Sequence, residues 1–218
     1  MKKMKMPMKI VILDFDGTMG DTAAVIVQTM QATIRELNLP ARTDEQCASM
    51  IGLRLVEIPP VLFPECGLDG EFYAETYRRL FKIYNTDNAV KLYPNVPETL
   101  IELKNRGYVL TIASSRSRKT LVEYVERLGL SEHISYILGA DDVVNGKPDP
   151  EPVNRTLDKY GFDAQDAIVV GDTEYDILMG KNAGTYTCGV TYGNGSRESL
   201  KDADWIIDDF GTLLEIIK

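Results

Sequence analysis

Two carboxylates one residue apart, Asp14 and Asp16, stand directly after the apolar run Val11-Ile12-Leu13 and just before Gly17-Thr18. Three further stretches set polar residues at the end of an apolar run or at the start of a helix. These are Ile112-Ala113-Ser114-Ser115, Gly146-Lys147-Pro148, and Val169-Val170-Gly171-Asp172-Thr173 running on to Asp176. Taken alone, Asp-x-Asp-Gly-Thr also admits a plainer reading as a turn and helix cap. If the apolar runs are parallel strands, they point the same way, and Asp14, Asp16, Ser114 and Asp172 gather along one edge of a sheet. Carboxylates so gathered repel one another unless a cation joins them. An oxygen-only set without His or Cys suits Mg²⁺.

The elements that must position these residues follow from periodicity. The run before Asp14 reads as a buried parallel strand. Asp21 stands as N-cap before an amphipathic helix carrying Val27, Met30, Ile34 and Leu37, which ends at Asn38–Pro40. From about Asp44 to Tyr84 the pattern stays helical, broken at Gly52, Pro59-Pro60, Pro64 and Gly67–Gly70. Leu92–Pro97 reads as a linker into a helix over Glu98–Arg106. From Gly107 on, strand and helix alternate, the pattern of a parallel sheet with crossover helices. Strands are predicted at Tyr108–Ala113, Tyr136–Gly139, Ala167–Gly171, Tyr186–Val190 and Trp205–Ile207. Helices are predicted at Arg118–Leu128, Glu151–Tyr160, Thr173–Ala183 and Phe210–Ile217. The fold class is therefore α/β, with a smaller all-helical unit inserted after the first strand. Residues 1–20 and 92–218 form the core and 21–91 the inserted cap, hinged near Gly20 and Leu92 as a lid over Asp14 and Asp16.

Composition narrows the function. A chain of 218 residues, 44% hydrophobic, buries a substantial core. Its net charge of −9 argues against a sequence-independent nucleic-acid binder. Cys47, Cys66 and Cys188 are widely spaced and odd in number, which fits a reducing cytoplasm better than a disulfide framework or zinc site. No segment approaches the roughly 20 apolar residues of a membrane span. Met1–Lys9 alternates Met and Lys without a signal-peptide core and is expected to be a frayed end.

The four polar stretches, in this order and with a helical insert between the first two, resemble the four motifs of the haloacid dehalogenase-type phosphohydrolases. The resemblance covers nearly the whole chain and implies a Rossmann-like core with a helical cap. It implies that Asp14 is the nucleophile of an aspartyl-phosphate mechanism and that Asp16 is the acid for the leaving oxygen, then the base for water. Mg²⁺ would be held by the Asp14 carboxylate, the Asp16 backbone carbonyl and Asp172, with Asp176 as a second metal-side carboxylate. Ser114 would donate to a phosphoryl oxygen and Lys147 would neutralise charge, with Thr18 and Ser115 completing the cradle.

Within the family, the acid at Asp16 points to phosphoryl transfer rather than carbon–halogen cleavage. Mutases of the β-phosphoglucomutase type carry a His ten residues after the second Asp, where this chain has Ile26. Gly171-Asp172-Thr173-x-x-Asp176 is more similar to phosphoglycolate phosphatase and its pyrophosphatase relatives, although those phosphatases usually have Thr-Asn in place of Ser114-Ser115. Arg54 is the cap cation expected to reach an anionic leaving group, with a solvated surface role as the alternative; Arg116 and Arg118 are weaker candidates. His133, the sole histidine, is expected at the surface or a helix end. The expected protein is a cytoplasmic, Mg²⁺-dependent phosphatase for a small phosphorylated metabolite, without nucleic-acid or membrane partners, as a monomer or weak homodimer. Alternatives are a phosphomutase, an inorganic pyrophosphatase, or a phosphometabolite-binding regulatory protein.

Overall fold

A computed structural model describes residues 8–217; of the expected frayed end Met1–Lys9, residues 1–7 lie outside the described residues. The strands are β1 (Ile10–Leu13), β2 (Gly20–Asp21), β3 (Lys91–Leu92), β4 (Val109–Ala113), β5 (Tyr136–Leu138), β6 (Ala167–Gly171), β7 (Tyr186–Val190) and β8 (Trp205–Ile207). The helices are α1 (Ala23–Glu36), α2 (Asp44–Ala48), α3 (Ile58–Leu62), α4 (Gly70–Tyr84), α5 (Val96–Asn105), α6 (Arg118–Arg127), α7 (Glu151–Tyr160), α8 (Glu174–Asn182) and α9 (Leu213–Ile216).

Six parallel strands form one sheet in the order β5-β4-β1-β6-β7-β8. The chain winds outward from β1 first through β4 and β5, then through β6, β7 and β8. The order therefore reverses beside β1, where open α/β sheets leave a crevice for ligands. Leu13 lies opposite both Ile112 and Val170, so the turn after β1 opens level with the ends of its two neighbours.

The unbroken apolar run of β1 has a simple cause: both of its faces are covered. Val11 and Leu13 join a cluster with Leu100 and Leu103 of α5 and Leu121 of α6. Ile10 and Ile12 join Val153 and Leu157 of α7 and Met179 of α8 on the opposite side. The first cluster continues without a break into Val25 and Met30 of α1 and Tyr73, Tyr77 and Phe81 of α4. Among the described residues, no helix is long and apolar enough to cross a membrane.

Local chemistry departs from expectation in three places. Asp21 is not a cap: it lies in β2, paired antiparallel with Lys91 of β3, and Thr22 takes the N-cap position of α1 without a side-chain bond. This two-stranded ribbon joins the chain where it leaves and re-enters the sheet region, and opposite charges face each other across it. Pro59-Pro60 does not break a helix but opens one, because an imide nitrogen in the first turn removes only an N–H that has no helical partner. Val96-Pro97 starts α5 earlier than expected for the same reason.

Candidate active site

Asp14 lies one residue past β1, 6% exposed. Lys147, on the loop before α7, bonds with its ammonium to Asp14 Oδ1 and to Asp176 Oδ1. Asp14 Oδ2 takes no hydrogen bond from the described residues. Burial raises the Asp14 carboxyl well above the usual carboxylate range; Lys147 opposes that, and Asp176, Asp172 and Asp16 add to it. On Lys147, burial works to lower the pKa, but Asp14 and Asp176 outweigh it and hold the ammonium above its ordinary value.

Asp172 and Asp176 arrive from the end of β6 and the first turn of α8. Asp172 Oδ2 accepts from Asn194 N at 2.6 Å and Asn194 Nδ2 at 3.0 Å, and Oδ1 accepts from the Thr18 hydroxyl at 3.3 Å. Asp176 closes a capping box with its Oδ2, accepting from Thr173 N at 3.1 Å and Thr173 Oγ1 at 2.7 Å. Burial, reinforced by Asp176, pushes the Asp172 carboxyl from 3.8 to about 7 against the pull of Asn194 and Lys147.

One oxygen from each of Asp14, Asp172 and Asp176 lies within 4.8 Å of the others. Ionised together, three buried carboxylates against one ammonium would leave two negative charges uncompensated. A hard divalent cation supplies that balance, and the oxygen-only donor set fits it. Gly17 makes the approach possible. It sits at φ +87°, and a Cβ there would come 2.1 Å from Asp172 Oδ2 and 2.2 Å from Asn194 Nδ2.

Asp16 is not part of this cluster and pairs with Arg116 instead. Arg116 Nε donates to its Oδ1 at 3.1 Å and Oδ2 at 2.9 Å, and Nη2 donates to Oδ1 at 2.7 Å. The guanidinium carbon stands 4.9 Å from the Phe81 ring of α4 and 5.2 Å from the Tyr124 ring of α6. Asp14, Asp16, Ser114 and Arg116 line a cavity of about 720 Å³, with apolar side chains including Ile26, Met30 and Phe81 on its wall.

The other sequence-derived residues meet different surroundings. Ser114, at the end of β4, is buried beside the cavity, and its hydroxyl oxygen accepts from Arg116 N at 3.4 Å. Ser115 donates its hydroxyl to Gly52 O at 2.6 Å, so it ties the loop before Arg54 to the sheet edge. Thr18, expected in the phosphoryl cradle, is fully buried and turned toward Asp172. Arg54 lines the cavity, but Nη1 donates to Val144 O at 3.0 Å and Nη2 to Ala140 O at 3.1 Å. Arg118 lies with Asp142 at 3.7 Å. His133 is half-buried behind α6, and its Nδ1 has no partner among the described residues.

Sequence reasoning missed Asn194 as the support of Asp172 and Arg116 as the partner of Asp16. Gly193-Asn194-Gly195 lies just past β7, the same edge at which the other motifs stand, and that position was the available signal.

The family model of the haloacid dehalogenase-like hydrolases matches residues 11–190, and the chain belongs to that family. It is similar to a phosphoglycolate phosphatase from Vibrio cholerae, 32% identical with 96% of each chain covered. It is equally similar to the pyrophosphatase PpaX of Oceanobacillus iheyensis, 32% identical over 97% of this chain and 98% of that one. The crystal structure of a predicted phosphoglycolate phosphatase from Haemophilus somnus superposes with a TM-score of 0.83 at 27% identity, covering 97% of this chain and 98% of the other. The resemblance drawn from four short motifs thus holds at the level of family and α/β fold.

Proposed function

We propose that the protein is a cytoplasmic, Mg²⁺-dependent phosphatase that hydrolyses small phosphate monoesters, phosphoglycolate-like or sugar-phosphate-like, through an aspartyl-phosphate on Asp14. The observation that carries this reading is Asp14 itself. One of its oxygens is held by Lys147, while the other takes no bond from the described residues, and the residue lines the cavity. Phosphate monoester hydrolysis is so slow unaided that accelerations approach about 10²¹, which favours division into two displacements.

In the first displacement an Asp14 oxygen bonds to phosphorus, the bond to the leaving oxygen breaks, and Asp16 gives that oxygen a proton. In the second, Asp16 takes a proton from water, the water oxygen bonds to phosphorus, and the Asp14–phosphorus link breaks. Lys147 offsets charge on Asp14 and the transferring group, and Ser114 donates to a phosphoryl oxygen. Asp14, Asp172, Asp176 and the Asp16 backbone carbonyl would hold Mg²⁺, which when bound neutralises the phosphoryl charge. Residues 21–91 act as a cap on the core formed by 1–20 and 92–218, with the β2–β3 ribbon as the crossing point.

A pyrophosphatase is the second reading, favoured by the relatives of that name. A mutase is disfavoured by Ile26 on the cavity wall, where the mutases carry His. The deciding experiment measures kcat/KM across phosphate esters and pyrophosphate, with EDTA and with Mg²⁺ restored. Ester hydrolysis abolished by EDTA and restored by Mg²⁺ is expected; chelator-insensitive turnover contradicts the metal assignment. We expect a monomer or weak homodimer, checked by light scattering.

A further inference from the structure

We propose that Arg116 is both the positioning residue for Asp16 and the group that reads negative charge on the leaving group, so that one guanidinium ties substrate recognition to placement of the proton carrier. This rests on the phosphatase reading. Arg116 spends one edge, Nε and Nη2, on Asp16. Its Nη1 donates to no described residue and is not among the sealed polar atoms left without a partner. The second edge of the fork is therefore free at the wall of the cavity, with a geometry that matches a carboxylate or a second phosphate.

Two further observations favour this guanidinium over other cations at the cavity. Its guanidinium carbon stands 4.9 Å from the Phe81 ring and 5.2 Å from the Tyr124 ring, on which Phe15 stacks at 5.1 Å, so aromatic packing and the Asp16 fork hold it in place before anything binds. Both Arg54 terminal nitrogens are already taken by carbonyls, and Arg78, Lys82 and Lys119 lie exposed. A leaving group carrying an anion meets Arg116 while its scissile oxygen lies beside Asp16; a neutral leaving group leaves the second edge unpaired. Because Phe81 belongs to α4 and Tyr124 to α6, the guanidinium also stands where the helical insert meets the sheet layer.

The test compares two uncleavable phosphonates, phosphonoacetate and ethylphosphonate, by calorimetry in Mg²⁺ buffer, alongside kcat and KM for 2-phosphoglycolate and ethyl phosphate. Wild-type protein, Arg116→Gln and Arg116→Lys are used, with folding checked by circular dichroism. Wild type is expected to prefer phosphonoacetate by at least about tenfold, as a charge-assisted fork warrants, and Arg116→Gln to bind both alike. Arg116→Lys is expected to keep part of the preference yet lose kcat on both esters, because an ammonium cannot fork Asp16; it also carries the test if the Gln variant fails to fold. No preference in wild type, preference surviving in Arg116→Gln, or full kcat in Arg116→Lys would each overturn the proposal. An Arg116-dependent preference without phosphate release from either ester supports recognition by Arg116 and contradicts the phosphatase reading instead.

Discussion

Lys147 and Asp14 form a buried ion pair across 133 residues of sequence, and the same ammonium holds Asp176. Replacing it by Met leaves three carboxylates with no protein cation. Breaking a buried pair by removing one partner costs about 3–5 kcal/mol. Lys147→Met should therefore melt well below wild type in EDTA, regain part of the loss in Mg²⁺, and show kcat lowered by at least about 10³. An unchanged melting curve in EDTA would show that the ammonium is not what offsets the cluster.

The pH dependence of stability should depend on metal. Asp172 is held up at about 7 from its ordinary 3.8, and burial raises Asp14 too. A native state that keeps protons the unfolded chain releases is most favoured below the unfolded pKa and loses that advantage as pH rises toward 7. Metal binding displaces those protons. The gain in Tm from Mg²⁺ over EDTA should therefore widen between about pH 5 and pH 8, measured by calorimetry. A gain flat across that range would speak against these carboxylates as the ligands.

Asn194 supports Asp172 through its backbone N and its side chain, and only the second can be removed by mutation. Asn194→Ala should weaken Mg²⁺ binding by about 10–100-fold, the usual effect of losing an outer partner of a metal ligand, with little change in fold. Titration calorimetry reads it directly. Gly17→Ala should be far harsher, since it meets both a positive φ and the Asp172 carboxylate.

Arg54 and Ser115 fasten the loop around Gly52 to the sheet edge through Ala140, Val144 and Gly52 carbonyls. Arg54→Ala should speed amide exchange over residues 52–57 by about tenfold or more, the loss expected when bonds from a charged donor are removed. Exchange at wild-type rates would mean that these bonds do not hold the loop.

The parts of the fold most legible in the sequence were those ruled by burial. The strand at Ala167–Gly171 and the helix at Glu151–Tyr160 were bounded correctly because one is apolar on both faces and the other amphipathic between Pro and Gly. The β2–β3 ribbon was not legible, since two-residue strands carry no periodicity. At the site, Asp14 and Asp172 could be gathered from strand ends alone, whereas Asp176, in the first turn of α8, followed only from what the family resemblance implies. The Arg116–Asp16 fork and the turn of Thr18 toward Asp172 depend on loop geometry and side-chain direction, which spacing does not encode.

The central claim is that Asp14 is the nucleophile. Its most direct measurement is the rate of phosphate release by Asp14→Asn in saturating Mg²⁺, with folding verified by circular dichroism. Loss of turnover by a factor of about 10⁴ or more, on a folded protein, is the predicted result. Turnover within tenfold of wild type would contradict a covalent route through Asp14.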